Sequence, residues 1–208
     1  MSPASRRVIW GTIVGIAAVI GLMVVALVGV FGSGYVRHFH LPSEAMAPTF
    51  EKGDRFVASM DGGGDLKRGN VILLAVGETT YVKRIAALPG DRIAMNGGLV
   101  ILNGRPIPQR FLAEERRPEM AGAPPARRLA EQLPGEAAPH EILDMGPSEV
   151  DEFPELRVPA GFVFVLGDNR DRSADSRVSR VSMGVDLLPV GDVKGRPLFC
   201  TKGCKLGR

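Results

Sequence analysis

The 208-residue chain is poor in the residues that most often build metal and redox centres, with two cysteines, Cys200 and Cys204, and three histidines. These offer no convincing ligand set, so no metal or other cofactor is called for. The body of the chain also lacks surplus basic charge. The formal net charge is +3, yet Arg6 and Arg7 sit at one end of a hydrophobic run, and the residues from 32 onward hold 24 basic against 23 acidic side chains. A basic nucleic-acid-binding domain is therefore disfavoured. Internal repeats, long low-complexity tracts and the strand–helix alternation of a βαβ fold are missing as well. At 45% hydrophobic and 24% charged, the chain is neither wholly disordered nor a multi-span transporter.

What is present starts with an uncharged run, Val8 to Phe31. As a helix it would be roughly 36 Å long, enough to cross a hydrocarbon core of about 30 Å. Arg6 and Arg7 favour a cytoplasmic N-terminus, an asymmetry that Arg37 weakens without reversing. The expected layout has residues 1–7 in the cytoplasm, 8–31 as a transmembrane anchor, and 32–112 with 159–208 as a β domain outside the cytoplasm. Residues 113–158 form an inserted small subdomain. A cleaved signal ending near Gly32-Ser33-Gly34 is the competing reading of the run.

Beyond the anchor, strand and turn signals dominate. Arg55–Ala58, Val71–Val76, Thr79–Ile85 and Val163–Leu166 read as strands. Asn96-Gly97 and Asn103-Gly104 flank Leu99–Leu102 as two hairpin signals. The fold class is mostly β, an antiparallel sheet or barrel-like domain behind one N-terminal helix. Residues 113–158 differ, with 11 acids, 5 arginines and 7 prolines, and a short helix fits Ala126–Gln132.

Three stretches carry more detail than packing requires. Leu41-Pro42-Ser43-Glu44-Ala45-Met46-Ala47-Pro48-Thr49 is an extended segment stiffened by two prolines. It reads either as a presenting loop or as a linker. Tyr81–Asp91 places Lys83 inside an apolar strand, on the face shared with Tyr81 and Ile85. There burial would favour the neutral amine, a general base, although a lysine taken alone reads as a snorkelling surface residue. Gly167–Arg177 follows a buried strand with three acids and three arginines. It is either a salt-bridged solvent loop or a buried network that holds a catalytic group.

Together and in this order, the three stretches resemble the bacterial type I signal peptidases, membrane-anchored serine proteases with a Ser–Lys dyad. That family carries Pro-Ser-x-Ser-Met-x-Pro-Thr, then Lys-Arg before Pro-Gly-Asp, then Gly-Asp-Asn-Arg-x-x-Ser-x-Asp-Ser-Arg. The matching residues here are Pro42, Ser43, Met46, Pro48 and Thr49; Lys83, Arg84, Pro89, Gly90 and Asp91; and Gly167 to Arg177.

One position departs from the pattern: the nucleophilic serine falls on Ala45. A methyl group cannot attack a carbonyl, so the chain as written is expected to be inactive by the dyad mechanism. The change reads as an engineered knockout that keeps fold and substrate binding, since Lys83 and its surroundings are intact. The alternative is a natural pseudoenzyme, a non-enzymatic anchored binding protein on the same fold.

For the Ala45→Ser form the resemblance implies a nucleophile at residue 45 and Lys83 as general base. The residue-45 amide and the Ser43 hydroxyl would form the oxyanion hole, and Ser173 would orient Lys83. Arg84, Asp168, Asp175 and Arg177 would form supporting ion pairs. Ser43 is no evident substitute nucleophile, because alternation along an extended segment turns it away from residue 45. The implied partners are signal peptides of exported preproteins, cut after Ala-x-Ala-type sites, and the lipid bilayer of a bacterial inner membrane. Leu41, Pro42, Met46, Phe50, Tyr81 and Val82 are the candidate substrate-binding residues. Position 45 lies 14 residues beyond Phe31, so the tether reaches no more than about 50 Å and the site works near the bilayer. Cys200 and Cys204 lie outside these motifs. In an oxidising compartment they could pair, although so short a loop would constrain the unfolded chain little.

Overall fold

The computed structural model describes residues 3–32, 34–117, 125–200 and 204. It divides into two units, Met1–Arg37 and His38–Arg208. The first is built on a 30-residue helix, α1 (Pro3–Gly32). Its stretch Trp10–Gly29, of mean hydropathy 2.6, is long and apolar enough to cross a membrane. The apolar residues run all round the helix and are exposed, for example Leu22 at 72% and Val25 at 70%. A water-soluble helix would instead confine them to one stripe. The proline falls at the helix start, where its missing N–H costs nothing.

The second unit is mostly antiparallel β. Its strands are β1 (Val36–His40), β2 (Arg55–Ser59), β3 (Val71–Val76), β4 (Thr79–Ala87), β5 (Arg92–Asn96), β6 (Leu99–Leu102) and β7 (Arg105–Pro106). They continue with β8 (Gln109–Glu115), β9 (Ala126–Glu131), β10 (His140–Asp144), β11 (Phe153–Arg157), β12 (Phe162–Leu166), β13 (Leu188–Pro189) and β14 (Val193–Cys200). A seven-stranded sheet has the order β1-β2-β14-β3-β4-β12-β13, beside a four-stranded sheet β11-β5-β6-β7 and a three-stranded sheet β10-β9-β8.

The expected strands at 55–58, 71–76, 79–85 and 163–166 are present, each within a residue or two. The first hairpin turn lies one residue further on than expected. Asn96 pairs with Leu99, so the two-residue loop is Gly97-Gly98, whose φ angles are 55° and 77°. Asn103-Gly104 turns as expected, with φ of 53° and 76°, the left-handed pair that a tight hairpin of right-twisted strands needs.

The helix expected at Ala126–Gln132 is instead strand β9. Its partners decide the matter, because β9 is flanked by β8 and β10 on both edges. Ladder hydrogen bonds on two sides outweigh the modest helical preference of Ala, Arg, Leu and Glu. Within the stretch expected as an insert, β9 and β10 form the three-stranded sheet with β8, which starts at Gln109, while β11 joins β5 in the four-stranded sheet.

Pairing between β3, β4 and β12 positions the chemistry. Lys83 stands opposite Ile72, and Arg84 lies between Val71 and Leu166. Residues after Leu166 therefore emerge beside Lys83 and Arg84. Separately, Leu41, Met46 and Phe50 join Phe56 and Ala58 of β2, Leu73 of β3 and Val82 of β4 in one apolar cluster. That burial draws the 41–50 segment to the same end of β4. Cys200 and Cys204 pack against this cluster and are joined by a disulfide, with Cα atoms 5.9 Å apart.

Candidate active site

The segment expected to be extended over 41–49 turns tightly after Ser43. The Ala47 amide donates to the Glu44 carbonyl and the Phe50 amide to that of Met46, each at 2.9 Å. Every residue from 46 to 50 is buried, whereas a half-buried extended segment would alternate. Ser43 consequently does not face away from residue 45. Its Oγ accepts a hydrogen bond from the Ala45 amide at 3.1 Å.

Lys83 is 1% exposed, so it does not snorkel. Its Nζ donates to Ser173 Oγ at 2.8 Å and lies 5.9 Å from the centre of the Tyr81 ring. Burial dominates its titration and lowers its pKa from 10.5 to about 8, against the pull of the Asp175 carboxylate. A large fraction of Lys83 is therefore the neutral amine near pH 8, available to take a proton.

Two buried ion pairs flank this amine. Arg84 Nε and Nη2 donate to the two oxygens of Asp168 at 2.8 and 2.6 Å, while its Nη1 donates to the Gly69 carbonyl at 2.7 Å. Thr49 Oγ1 donates to the same carboxylate. Arg177 clamps Asp175 through Nε and Nη2 at 2.9 and 2.8 Å, and Asp175 also accepts the Gly167 amide at 3.0 Å. Burial opposes ionisation of both carboxyls, but the adjoining guanidinium holds each below the ordinary aspartate range. The motif is thus a buried network and not a salt-bridged solvent loop. Partnered buried charges of this kind fix geometry more than they add stability.

A cavity of about 240 Å³ opens where these parts meet, lined on one side by Leu41, Pro42, Ser43, Ala45 and Met46 and on another by Thr79 to Lys83. Of the candidate substrate-binding residues, Leu41, Pro42, Met46, Tyr81 and Val82 line it. Phe50 does not. It is fully buried behind the loop, edge-on to Phe56 with ring centres 5.2 Å apart. A larger cavity of about 430 Å³ lies beyond Arg84 and is lined also by Glu136 and His140. Its buried charges are already paired, Arg84 with Asp168 and Glu136 with His140 at 3.0 Å. The smaller cavity is the one lined by the Lys83 amine and by a small residue, Ala45.

Several residues that build the site escaped the reading of the sequence. Glu131 of β9 pairs with Arg170 at 3.1 Å, and His140 of β10 lies between Glu131 and Glu136. Burial works against a charge on His140, yet the two carboxylates hold its pKa above the ordinary value. Gly167, named in the third motif, has a steric role that the sequence did not assign. A methyl group there would overlap Ser173 Oγ and the Ala45 carbonyl oxygen, so only glycine lets these two groups approach. Gly167→Ala is expected to cost about 1–3 kcal/mol through overpacking, read as a lower thermal midpoint. An unchanged midpoint would show that the contact relaxes freely. The sequence signal was available, since this glycine opens the third motif.

A family model described as "Signal peptidase, peptidase S26" matches residues 11–201. Among curated proteins, signal peptidase I of Bacillus licheniformis is 29% identical over 194 residues, covering 91% of this chain and 86% of its own. Signal peptidase I T of Bacillus subtilis is 29% identical over 178 residues, covering 81% and 74%. A probable signal peptidase I-1 of Synechocystis is 29% identical over 172 residues, covering 77% and 68%. The crystal structure of a signal peptidase I from Enterococcus faecalis aligns over 64% of this chain and 97% of its own, at 21% identity and a TM-score of 0.36.

Proposed function

This chain belongs to the signal peptidase family, peptidase S26, and from that premise we propose that it is a membrane-anchored signal peptidase of the Ser–Lys type that binds signal peptides but does not cut them. The observation that supports the reading is Ala45 lining one cavity together with Ser43 and Lys83. A buried amine sits 2.8 Å from Ser173 and retains the environment of a general base. The carbon at position 45 offers that base no proton and a carbonyl no nucleophile.

Helix α1 serves as the single-pass anchor, with the N-terminus in the cytoplasm and the β unit on the outer side. A signal peptide lies extended between the 41–46 segment and the 79–83 end of β4, adding main-chain hydrogen bonds as a strand would. The cavity of about 240 Å³ admits small side chains at the two positions that flank the middle residue of Ala-x-Ala. The residue-45 N–H, which here donates to Ser43 Oγ at 3.1 Å, and the Ser43 hydroxyl would both donate to the carbonyl that the active form attacks.

The test is binding without cleavage. The full chain in detergent micelles should bind a fluorescent signal peptide ending in Ala-x-Ala saturably and leave it intact. Phenylalanine at the two small positions should weaken binding by roughly ten- to a hundredfold, the effect of overfilling a packed pocket by about 1–3 kcal/mol. Equal affinity for both peptides would overturn the assignment of the cleft, and cleavage by the unaltered chain would overturn its inactivity.

A further inference from the structure

Asn169 follows Asp168 in the third motif and is 2% exposed. Its backbone amide donates to the Ala45 carbonyl and its side-chain Nδ2 to the Glu44 carbonyl, both at 3.2 Å. One residue thus holds two consecutive peptide groups on either side of the Ala45 Cα. The Glu44–Ala45 peptide is planar, so its C=O and N–H point in opposite directions. Fixing the oxygen of Glu44 fixes the direction in which the residue-45 N–H points, here toward Ser43 Oγ, its partner in the proposed oxyanion hole. A hydrogen bond to that oxygen also polarises the peptide and strengthens the N–H as a donor.

Asn169 is itself held from behind. Strand β10 bridges to it through Leu143, whose amide donates to the Asp168 carbonyl at 2.8 Å. The next amide but one, Met145, donates to Asp171 at 2.6 Å, and Arg170 is tied to Glu131 of β9. The three-stranded sheet therefore braces the 168–171 segment, and that segment braces the loop bearing position 45.

The Asn169 side chain is an awkward choice if it only fills space. Its Oδ1 is buried and has no hydrogen-bond partner among the described residues, a cost of roughly 1–3 kcal/mol that leucine would avoid. Its orientation is set by the Glu44 carbonyl, since the flipped amide would place two acceptors face to face. What asparagine provides that leucine cannot is the Nδ2 donor.

We infer that Asn169 is a positioning residue for the oxyanion hole, acting through the Glu44–Ala45 peptide to aim the residue-45 N–H at the substrate carbonyl. This rests on the reading of the cleft given above. Negative charge develops on that oxygen in the transition state, so misalignment of the donor weakens transition-state binding more than ground-state binding. The supporting sheet acquires a role in the same way, as the brace that keeps Asn169 in register.

The experiment uses the full chain in detergent in the Ala45→Ser background, with Asn169→Ala and Asn169→Asp. Aspartate keeps the shape and loses the N–H donor. Both changes should lower kcat per folded molecule by about tenfold or more, with KM within about threefold of the parent and the midpoint of the pH–rate profile unmoved. The folded fraction is read by near-ultraviolet circular dichroism. Loss of folded protein with kcat unchanged would overturn the inference, as would a rise in KM alone or the failure of both variants to fold. An inactive Ala45→Ser parent overturns the cleft reading and this inference together, whereas an active parent with unaffected variants overturns only the role of Asn169.

Discussion

Ala45→Ser is expected to turn this chain into a working peptidase, with a gain in hydrolysis on the order of a millionfold, comparable to the loss seen when a serine protease is stripped of its nucleophile. A hydroxyl at residue 45 would attack the scissile carbonyl, its proton passing to neutral Lys83 as the carbon–oxygen bond forms. Lys83 would then protonate the departing amine, leaving an acyl-enzyme for water to open. Ser43 and the residue-45 amide, already 3.1 Å apart, would meet the oxyanion.

Because the base must be unprotonated, activity should climb about tenfold for each pH unit below a midpoint near the Lys83 pKa of about 8, then level off. Cleavage is read on a preprotein with an Ala-x-Ala site, in detergent. A folded Ala45→Ser protein that cuts nothing would sink the proposal. A rate flat from neutral to alkaline pH, with chemistry limiting, would remove Lys83 from the role of base.

How much of this was legible in the sequence depends on the range over which each feature is encoded. The anchor and strands β3 and β4 were visible because their patterns are local, a long uncharged run and short β-branched stretches. Asn103-Gly104 was legible for the same reason. Strand β9 was not. Its six residues suit a helix, and only the partners on both edges make it a strand.

The 44–50 turn was not legible because two prolines suggested extension, while packing of all five residues from 46 to 50 inside the protein requires a turn. At the site, alternation correctly put Lys83 on the face of Tyr81 and Ile85. Nothing local, however, revealed that Leu166 would pair with Arg84 and bring Ser173 to the amine. The three stretches stood out by their residues and were joined by resemblance, which named Gly167 without giving it a role and was silent about Glu131 and His140. Those residues matter through contacts between distant strands, which a single sequence does not display.

Lys83→Met should have two opposite effects of large size. In the Ala45→Ser background it should return hydrolysis to about the level of the chain with Ala45, because Lys83 is the one lysine among the described residues lining the cavity. In the chain as it stands it should instead stabilise the fold near neutral pH. A lysine with a pKa of about 8 when folded and 10.5 when unfolded binds its proton more weakly in the native state. At pH 7 both states are protonated, and holding that buried charge costs about 3 kcal/mol. Losing the hydrogen bond to Ser173 gives back about 1 kcal/mol, so the net gain at pH 7 is about 2 kcal/mol. Between pH 8 and 10.5 the unfolded chain carries more protons, so the stability of the lysine form rises with pH and the advantage of methionine fades. Denaturant unfolding of the full chain at pH 7 and near pH 10.5 separates the two curves. A methionine variant less stable at pH 7, or equally favoured at both pH values, would show that Lys83 is not a buried base held at a cost. Lys83 and Ala45 line the same cavity, so on the proposed reading the buried lysine costs stability that catalysis would offset only once residue 45 carried a hydroxyl.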